Sequence, residues 1–70
     1  MTEEEDLVYE NIRLYRNQKG FSVLKLSNET GISRSHLYYI ETKKISPTIE
    51  TLNKIALALD IPLKDFFTKN

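Results

Sequence analysis

The sequence contains no cysteine and no tryptophan, only two glycines and two prolines, and no long apolar run. Without cysteine, the chain can form neither a disulfide nor a cysteine-ligated zinc site. No apolar stretch approaches the roughly 18 residues of a transmembrane helix, and the acidic start MTEEED is unlike the basic start of a signal peptide. We therefore expect one small cytoplasmic domain of 70 residues, stabilised by an apolar core to which dimerisation can add.

Groups suited to catalysis or ligand binding are also scarce. The chain has one histidine, and it shows no metal-ligand spacing and no phosphate-binding loop motif. We therefore predict that the protein is not an enzyme and that it uses no cofactor and no metal. A domain of this size also leaves no room for a small-molecule pocket of ordinary size.

The formal net charge is zero, but the charges are unevenly distributed. The first ten residues hold five acidic side chains and no basic one, whereas the other sixty hold all ten Lys and Arg against five acids. The body of the domain is therefore basic, as expected of a nucleic-acid binder. The acidic segment at residues 1–6 either complements the dipole of a first helix as a solvated turn, or it tunes nucleic-acid affinity or contacts a partner.

The spacing of apolar residues predicts five helices and no strand, so the expected fold class is all-α. In chain order, the predicted helices cover residues 4–18, 23–29, 34–42, 49–59 and 63–68. Gly20 should close the first helix, and residues suited to N-caps precede the next three: Ser22, Ser33 and Thr48. The first helix should turn Val8, Ile12 and Tyr15 inward, with Leu7 and Leu14 on a neighbouring face. The fourth should bury Leu52, Ile55, Ala56 and Leu59.

The segment from Phe21 to Ile40, FSVLKLSNETGISRSHLYYI, is the most informative part of the chain. Two short helices meet at Gly31, where the turn requires a positive φ that glycine adopts easily. This pattern, over residues 22–42, is typical of a helix-turn-helix whose second helix enters the major groove of DNA. The sequence therefore indicates a DNA-binding protein.

The chain resembles the Cro/C1-type helix-turn-helix domains, also called the XRE family, of phage and bacterial repressors. The matching segments are IRLYRNQKGFS, LSNETGISRSHLYYIE and SPTIETLNKIALALDIPLKDFF, and they span residues 12–67. The resemblance implies a single five-helix, lambda-repressor-like domain over residues 1–70. It also implies a transcriptional regulator that binds double-stranded DNA. In the simplest case this regulator is a repressor that binds an inverted repeat as a homodimer.

The resemblance also implies which residues contact DNA. The base-contacting residues would be Arg34, Ser35, Tyr39 and Tyr38. Arginine can form two hydrogen bonds to guanine, and Tyr39 could contact a thymine methyl or a phosphate. The backbone-contacting residues would be Ser22, Val23, His36, Lys43, Lys44, Ser46 and Thr48. Val23 stands where the family commonly has Gln, which removes one side-chain contact to a phosphate.

Two further groups of residues have expected structural roles. Arg16 and Glu41 occupy positions where the family often places an ion pair between helices one and three. The expected dimer interface consists of Ile61, Leu63, Phe66 and Phe67. Because the two phenylalanines are adjacent, one should fill the core and the other should join an exposed apolar patch.

An alternative interpretation is that the helix-turn-helix shape serves protein interaction, as in an antitoxin-like or adaptor protein. The zero net charge, the acidic start and the adjacent tyrosines Tyr38 and Tyr39 motivate this alternative. Such a module would have a stoichiometric protein partner and no DNA preference.

Overall fold

The computed structural model describes the backbone of residues 3–69 and the side chains of residues 6–69. This part of the chain forms four α-helices and no strand: α1 (Glu3–Lys19), α2 (Val23–Thr30), α3 (Arg34–Glu41) and α4 (Ile49–Leu59). A 3-10 helix (Leu63–Phe67) occupies the place of the predicted fifth helix. The all-α class is confirmed, whereas the fifth α-helix is not, because a five-residue element after Pro62 is short enough to close as 3-10 turns.

The helices begin and end where the sequence offers suitable residues. The side chains of Ser22, Ser33 and Thr48 each accept a hydrogen bond from the backbone amide three residues further on. The chain leaves α1 and α2 through Gly20 and Gly31, whose φ angles of 78° and 77° are in the left-handed region. All three predicted N-caps and both predicted glycine turns are confirmed.

The apolar core lies where α1, α4 and the 3-10 helix meet the α2–α3 pair. Its buried side chains come from every element: Val8, Tyr9, Ile12, Leu26, Leu37, Ile40, Leu52, Ile55, Ala56, Leu59 and Phe66. All four predicted inward positions of α4 belong to this set. On α1, Val8 and Ile12 are buried as predicted, but Tyr15 is only half-buried and the prediction missed Tyr9.

Two buried polar side chains of α1 hold distant parts of the chain. The Tyr9 hydroxyl is 3.0 Å from the Ser46 hydroxyl, in the loop between α3 and α4. The Asn11 side-chain amide donates to the backbone carbonyls of Phe66 and Thr68, at 2.9 Å each. These bonds attach both the loop and the C-terminal segment to α1.

The acidic segment is described only in part. Residues 1 and 2 and the side chains of Glu3, Glu4 and Glu5 lie outside the described residues. Asp6 is described, and it lies on α1, which has 17 residues. Among residues 3–69, no helix combines the length and the apolar character that crossing a membrane requires.

Candidate nucleic-acid interface

α2 and α3 form the predicted helix-turn-helix, with Gly31 in the turn between them. Leu37 and Ile40 bury the inner side of α3 in the core. The Ser27 hydroxyl donates to the Ile32 carbonyl at 2.6 Å across the turn. This hydrogen bond ties the turn before α3 to α2.

The outer face of α3 carries the four residues predicted to contact bases. Arg34 and Ser35 are exposed, and Tyr38 and Tyr39 are 56% and 45% exposed. Together with Val23 of α2, these residues line one open hollow of about 410 Å³. The two tyrosine rings meet edge to face, with centroids 6.0 Å apart, an arrangement that aromatic pairs prefer. The fold thus gathers the four residues on one surface.

The polar groups of this surface are available to a ligand. Arg34 takes part in none of the ion pairs found among residues 6–69. It lies in the first turn of α3, where a cation is opposed by the helix dipole. Its guanidinium therefore gains little from α3, and an external acceptor such as a base edge or a phosphate would stabilise it.

Apart from Lys43, the residues predicted to contact the DNA backbone fall into two groups. Ser22, His36 and Lys44 are exposed, and Val23 lies half-buried at the first position of α2. The Ser22 oxygen accepts from the Lys25 amide, so its hydroxyl hydrogen can still be donated to a phosphate.

Ser46 and Thr48 form the second group, because their side chains already have partners. The Ser46 hydroxyl is hydrogen-bonded to Tyr9. The Thr48 hydroxyl caps α4 and also lies 3.1 Å from the Thr51 hydroxyl. Both residues have a role in the fold, and their contact with DNA stays a prediction.

Lys43 is held by α1. Its ammonium nitrogen lies 3.3 Å from a carboxylate oxygen of Glu10 and 3.5 Å from one of Asp6. The hydrogen bond to Glu10 raises the pKa of Lys43 above its usual value, and the charge of Asp6 adds to the effect. The Lys43 backbone has a φ of 67°, which is uncommon for a residue other than glycine. A phosphate would therefore have to compete with two carboxylates for this lysine.

The predicted ion pair between Arg16 and Glu41 is present and bidentate. The Arg16 Nε and Nη2 atoms donate to the two Glu41 carboxylate oxygens at 2.7 and 2.9 Å. The remaining nitrogen, Nη1, donates to the Phe21 carbonyl at 2.8 Å. The side chains are only 12% and 7% exposed. This one guanidinium therefore fixes α1 to α3 and to the turn before α2.

The predicted dimer interface needs one correction. Phe66 is fully buried, so its assignment to the interface is wrong, because a ring inside the core cannot contact a second chain. Ile61 and Leu63 are half-buried against the core, and Phe67 is exposed. Sequence reasoning missed Leu57, which is 73% exposed and lines a surface hollow with Ile61. Leu57 does not fall on the inward-facing stripe of α4, and this helical spacing could have identified it as an exposed apolar residue.

Fold and surface together define a compact helix-turn-helix domain with an exposed second helix, and comparison with known proteins gives the family. Residues 9–70 match the family model described as "Helix-turn-helix domain". The chain belongs to this family, and it is of the Cro/C1 type.

Several of the similar proteins are named as transcriptional regulators. The HTH-type transcriptional regulator SutR of Escherichia coli (strain K12) is 39% identical over 57 residues, which are 81% of this chain and 32% of SutR. Control protein C.SmaI of Serratia marcescens is 30% identical over 64 residues, 91% of this chain and 76% of C.SmaI. The crystal structure of an HTH_3 family transcriptional regulator from Vibrio cholerae has a TM-score of 0.85 at 33% identity, covering 91% of this chain and 36% of that one. The chain thus spans about a third of the length of SutR and of the Vibrio regulator.

Proposed function

We propose that the protein is a DNA-binding transcriptional regulator that places α3 in the major groove of double-stranded DNA. The surface of Arg34, Ser35, Tyr38 and Tyr39 is the observation that carries this proposal. These four residues face outward from a helix whose other side is anchored in the core by buried residues. An α-helix presented in this way fits the width of the major groove, and the names of two relatives as transcriptional regulators agree with it.

Each segment of the surface has a role in this proposal. Arg34 donates two hydrogen bonds to the O6 and N7 atoms of a guanine, and Ser35 contacts a neighbouring base with little discrimination. Ser22, the amide of Val23 and the side chains of His36 and Lys44 contact phosphates on either side. The basic body of the domain supplies the attraction to the duplex that does not depend on sequence.

We further propose that the protein binds an inverted repeat as a homodimer and acts as a repressor. Leu57, exposed near the end of α4, and the half-buried Ile61 that follows the helix form an apolar surface, and a second copy would cover it. Two α3 helices in such a dimer would contact half-sites one helical turn apart, about 34 Å. A bound dimer of this kind blocks polymerase without any further contact surface.

Selection of bound duplexes from a random DNA pool at near-physiological salt tests this function. Enrichment of a two-fold symmetric site with half-sites about 10 bp apart would support the dimeric regulator. A single enriched half-site would support DNA reading and contradict the stable dimer. A folded protein that enriches no sequence would contradict the proposal and favour the protein-interaction module.

Replacing Arg34 with alanine should weaken binding to the selected site by about tenfold to a hundredfold, because one bidentate contact to guanine is lost. The thermal unfolding temperature should stay within a few degrees of the wild-type value, since the Arg34 side chain is exposed. Fluorescence anisotropy with a labelled duplex measures the affinity. Lys64→Ala, which removes one exposed positive charge from the 3-10 helix, is the control. Equal affinity of the Arg34 and Lys64 variants would contradict the placement of α3 in the major groove.

Replacing Glu10 with glutamine should strengthen DNA binding several-fold, because it weakens the hold of α1 on Lys43. If Lys43 then neutralises one more phosphate, the slope of log affinity against log salt should steepen by about 0.9. Titrations of the same duplex at several salt concentrations give both quantities.

A Lys43→Ala background is the matched control for Glu10→Gln. Without the lysine, the same change should leave the salt slope unaltered, since only the general reduction of negative charge remains. Equal effects of Glu10→Gln in both backgrounds would show that the gain in DNA affinity does not come from Lys43.

A further inference from the structure

We infer that two copies of the chain pack α4 against α4 in antiparallel orientation, around a two-fold axis that passes beside Asn53. This inference rests on the homodimer of the proposed function, and it names the helix face and the charges by which one copy recognises the other. The outer face of α4 carries an exposed apolar side chain near each end. Ile49 at the start of the helix is 63% exposed, and Leu57 near its end is 73% exposed. Both are open to water in a single copy, so covering them is favourable.

The spacing of these side chains is symmetric about the middle of the helix. Asn53 is exposed and lies four residues after Ile49 and four residues before Leu57. Because four residues make slightly more than one helical turn, all three lie on one side of α4, over about 12 Å of its length. In an antiparallel pair of identical helices centred on Asn53, Ile49 of each copy therefore lies opposite Leu57 of the other. This face fits a copy of itself, as a two-fold interface requires.

The end of α4 that Ile49 of the second copy reaches contains a hollow. This hollow has a volume of about 260 Å³ and is lined by Ala56, Leu57, Asp60, Ile61 and Pro62. Most of its lining is apolar, and the small side chain of Ala56 lets another helix approach closely. The isoleucine in this hollow removes apolar surface of both copies from water. The two-fold axis fills both hollows at once, because each copy supplies one Ile49 and one hollow.

The charges beside this contact are also complementary to those of a second copy. Glu50 and Lys54 are exposed, and within the part of the chain whose side chains are described neither belongs to an ion pair. In the antiparallel pair, Glu50 of one copy lies about 3 Å along the helix axis from Lys54 of the other, which is the rise of two residues. The axis generates this pair twice. Opposite charges across the contact favour the correct partner, and like charges disfavour others.

A single introduced cysteine tests the position of the axis, because the natural chain contains none. Asn53→Cys in the full chain should form a covalent dimer under mild oxidation, since the two copies of a residue on the axis come within the roughly 4.4–6.8 Å that a disulfide requires between Cα atoms. Asn28→Cys, at an exposed position of α2, is the control and should form little dimer. Electrophoresis without reductant measures both. Equal cross-linking of the two variants would contradict the axis at Asn53.

Charge reversal tests the pairing between copies. Glu50→Lys and Lys54→Glu each place like charges at both pairs, so each variant alone should have a dimer dissociation constant raised about tenfold. An equal mixture of the two should recover the wild-type value, because the mixed dimer has opposite charges at both pairs. A pair within one helix, four residues apart, cannot produce recovery on mixing. Analytical ultracentrifugation measures the association, and circular dichroism should show both variants folded, since both side chains are exposed.

The possible failures are distinguishable. If a symmetric DNA site is selected but neither charge reversal weakens the dimer, this inference is overturned and the proposed function stands. If the folded protein stays monomeric and selects a single half-site, the inference and the homodimer are overturned, and the hollow of α4 is open to a different protein. If no sequence is selected while Asn53→Cys still cross-links and mixing restores association, DNA reading is overturned and the α4 contact is supported.

Discussion

Replacement of Arg16 by methionine should destabilise the protein by about 3–5 kcal/mol, because it leaves a buried carboxylate without its partner. Glu41 is only 7% exposed, and the Phe21 carbonyl loses a donor in the same variant. A domain of this size has a free energy of unfolding near the low end of about 5–15 kcal/mol. A large fraction of the variant should therefore be unfolded at 37 °C. Urea denaturation followed by circular dichroism measures the loss.

The double variant Arg16→Met/Glu41→Leu is the control for this prediction. Removing both charges leaves no buried carboxylate, and apolar replacements of a buried ion pair are often neutral or stabilising. The double variant should therefore be clearly more stable than Arg16→Met alone. If the double variant is as unstable as the single one, packing rather than the unpaired charge explains the loss.

The adjacent phenylalanines at the C-terminal end should differ greatly in their contribution to stability. Phe66→Ala should cost about 3–5 kcal/mol, because it removes a fully buried ring from the core. Phe67→Ala should cost less than about 1 kcal/mol, since that ring is half exposed. Denaturant titrations of the two variants under the same conditions give the comparison. Similar losses for both would contradict the burial that distinguishes them.

The predictions that succeeded for the fold rest on local physics. An N-cap needs only a hydroxyl and an amide three residues further on, and a glycine turn needs only a residue that tolerates positive φ. The inward stripe of α4 follows from helical periodicity within eleven residues. Such features can be predicted without knowing which other parts of the chain will come near.

The features that sequence reasoning missed depend on long-range contacts. Tyr9 is buried because its hydroxyl meets Ser46, which is 37 positions away. Asn11 is buried because it reaches the carbonyl of Phe66, 55 positions away. A polar atom normally marks an exposed residue, and only the folded chain supplies the partner that permits its burial.

The candidate surface was predictable to a similar extent. The outward direction of Arg34, Ser35 and Tyr39 follows from the burial of Leu37 and Ile40 on the opposite side of the same helix. The pairing of Lys43 with Glu10 does not follow from the sequence, because 33 positions separate them. The adjacency of Phe66 and Phe67 predicts that one ring is buried, but the choice between them depends on the 3-10 geometry.

The division of α3 into two faces has a consequence for how the domain can diversify. Leu37, Ile40 and Glu41 are the buried residues of this helix, whereas its outward side chains are exposed. Randomising the outward set (Arg34, Ser35, Tyr38 and Tyr39) should therefore yield a library in which most members retain the wild-type melting temperature. Mutations in the outward residues can then change the preferred DNA sequence while selection maintains the buried residues. One fold can in this way come to bind many different target sequences.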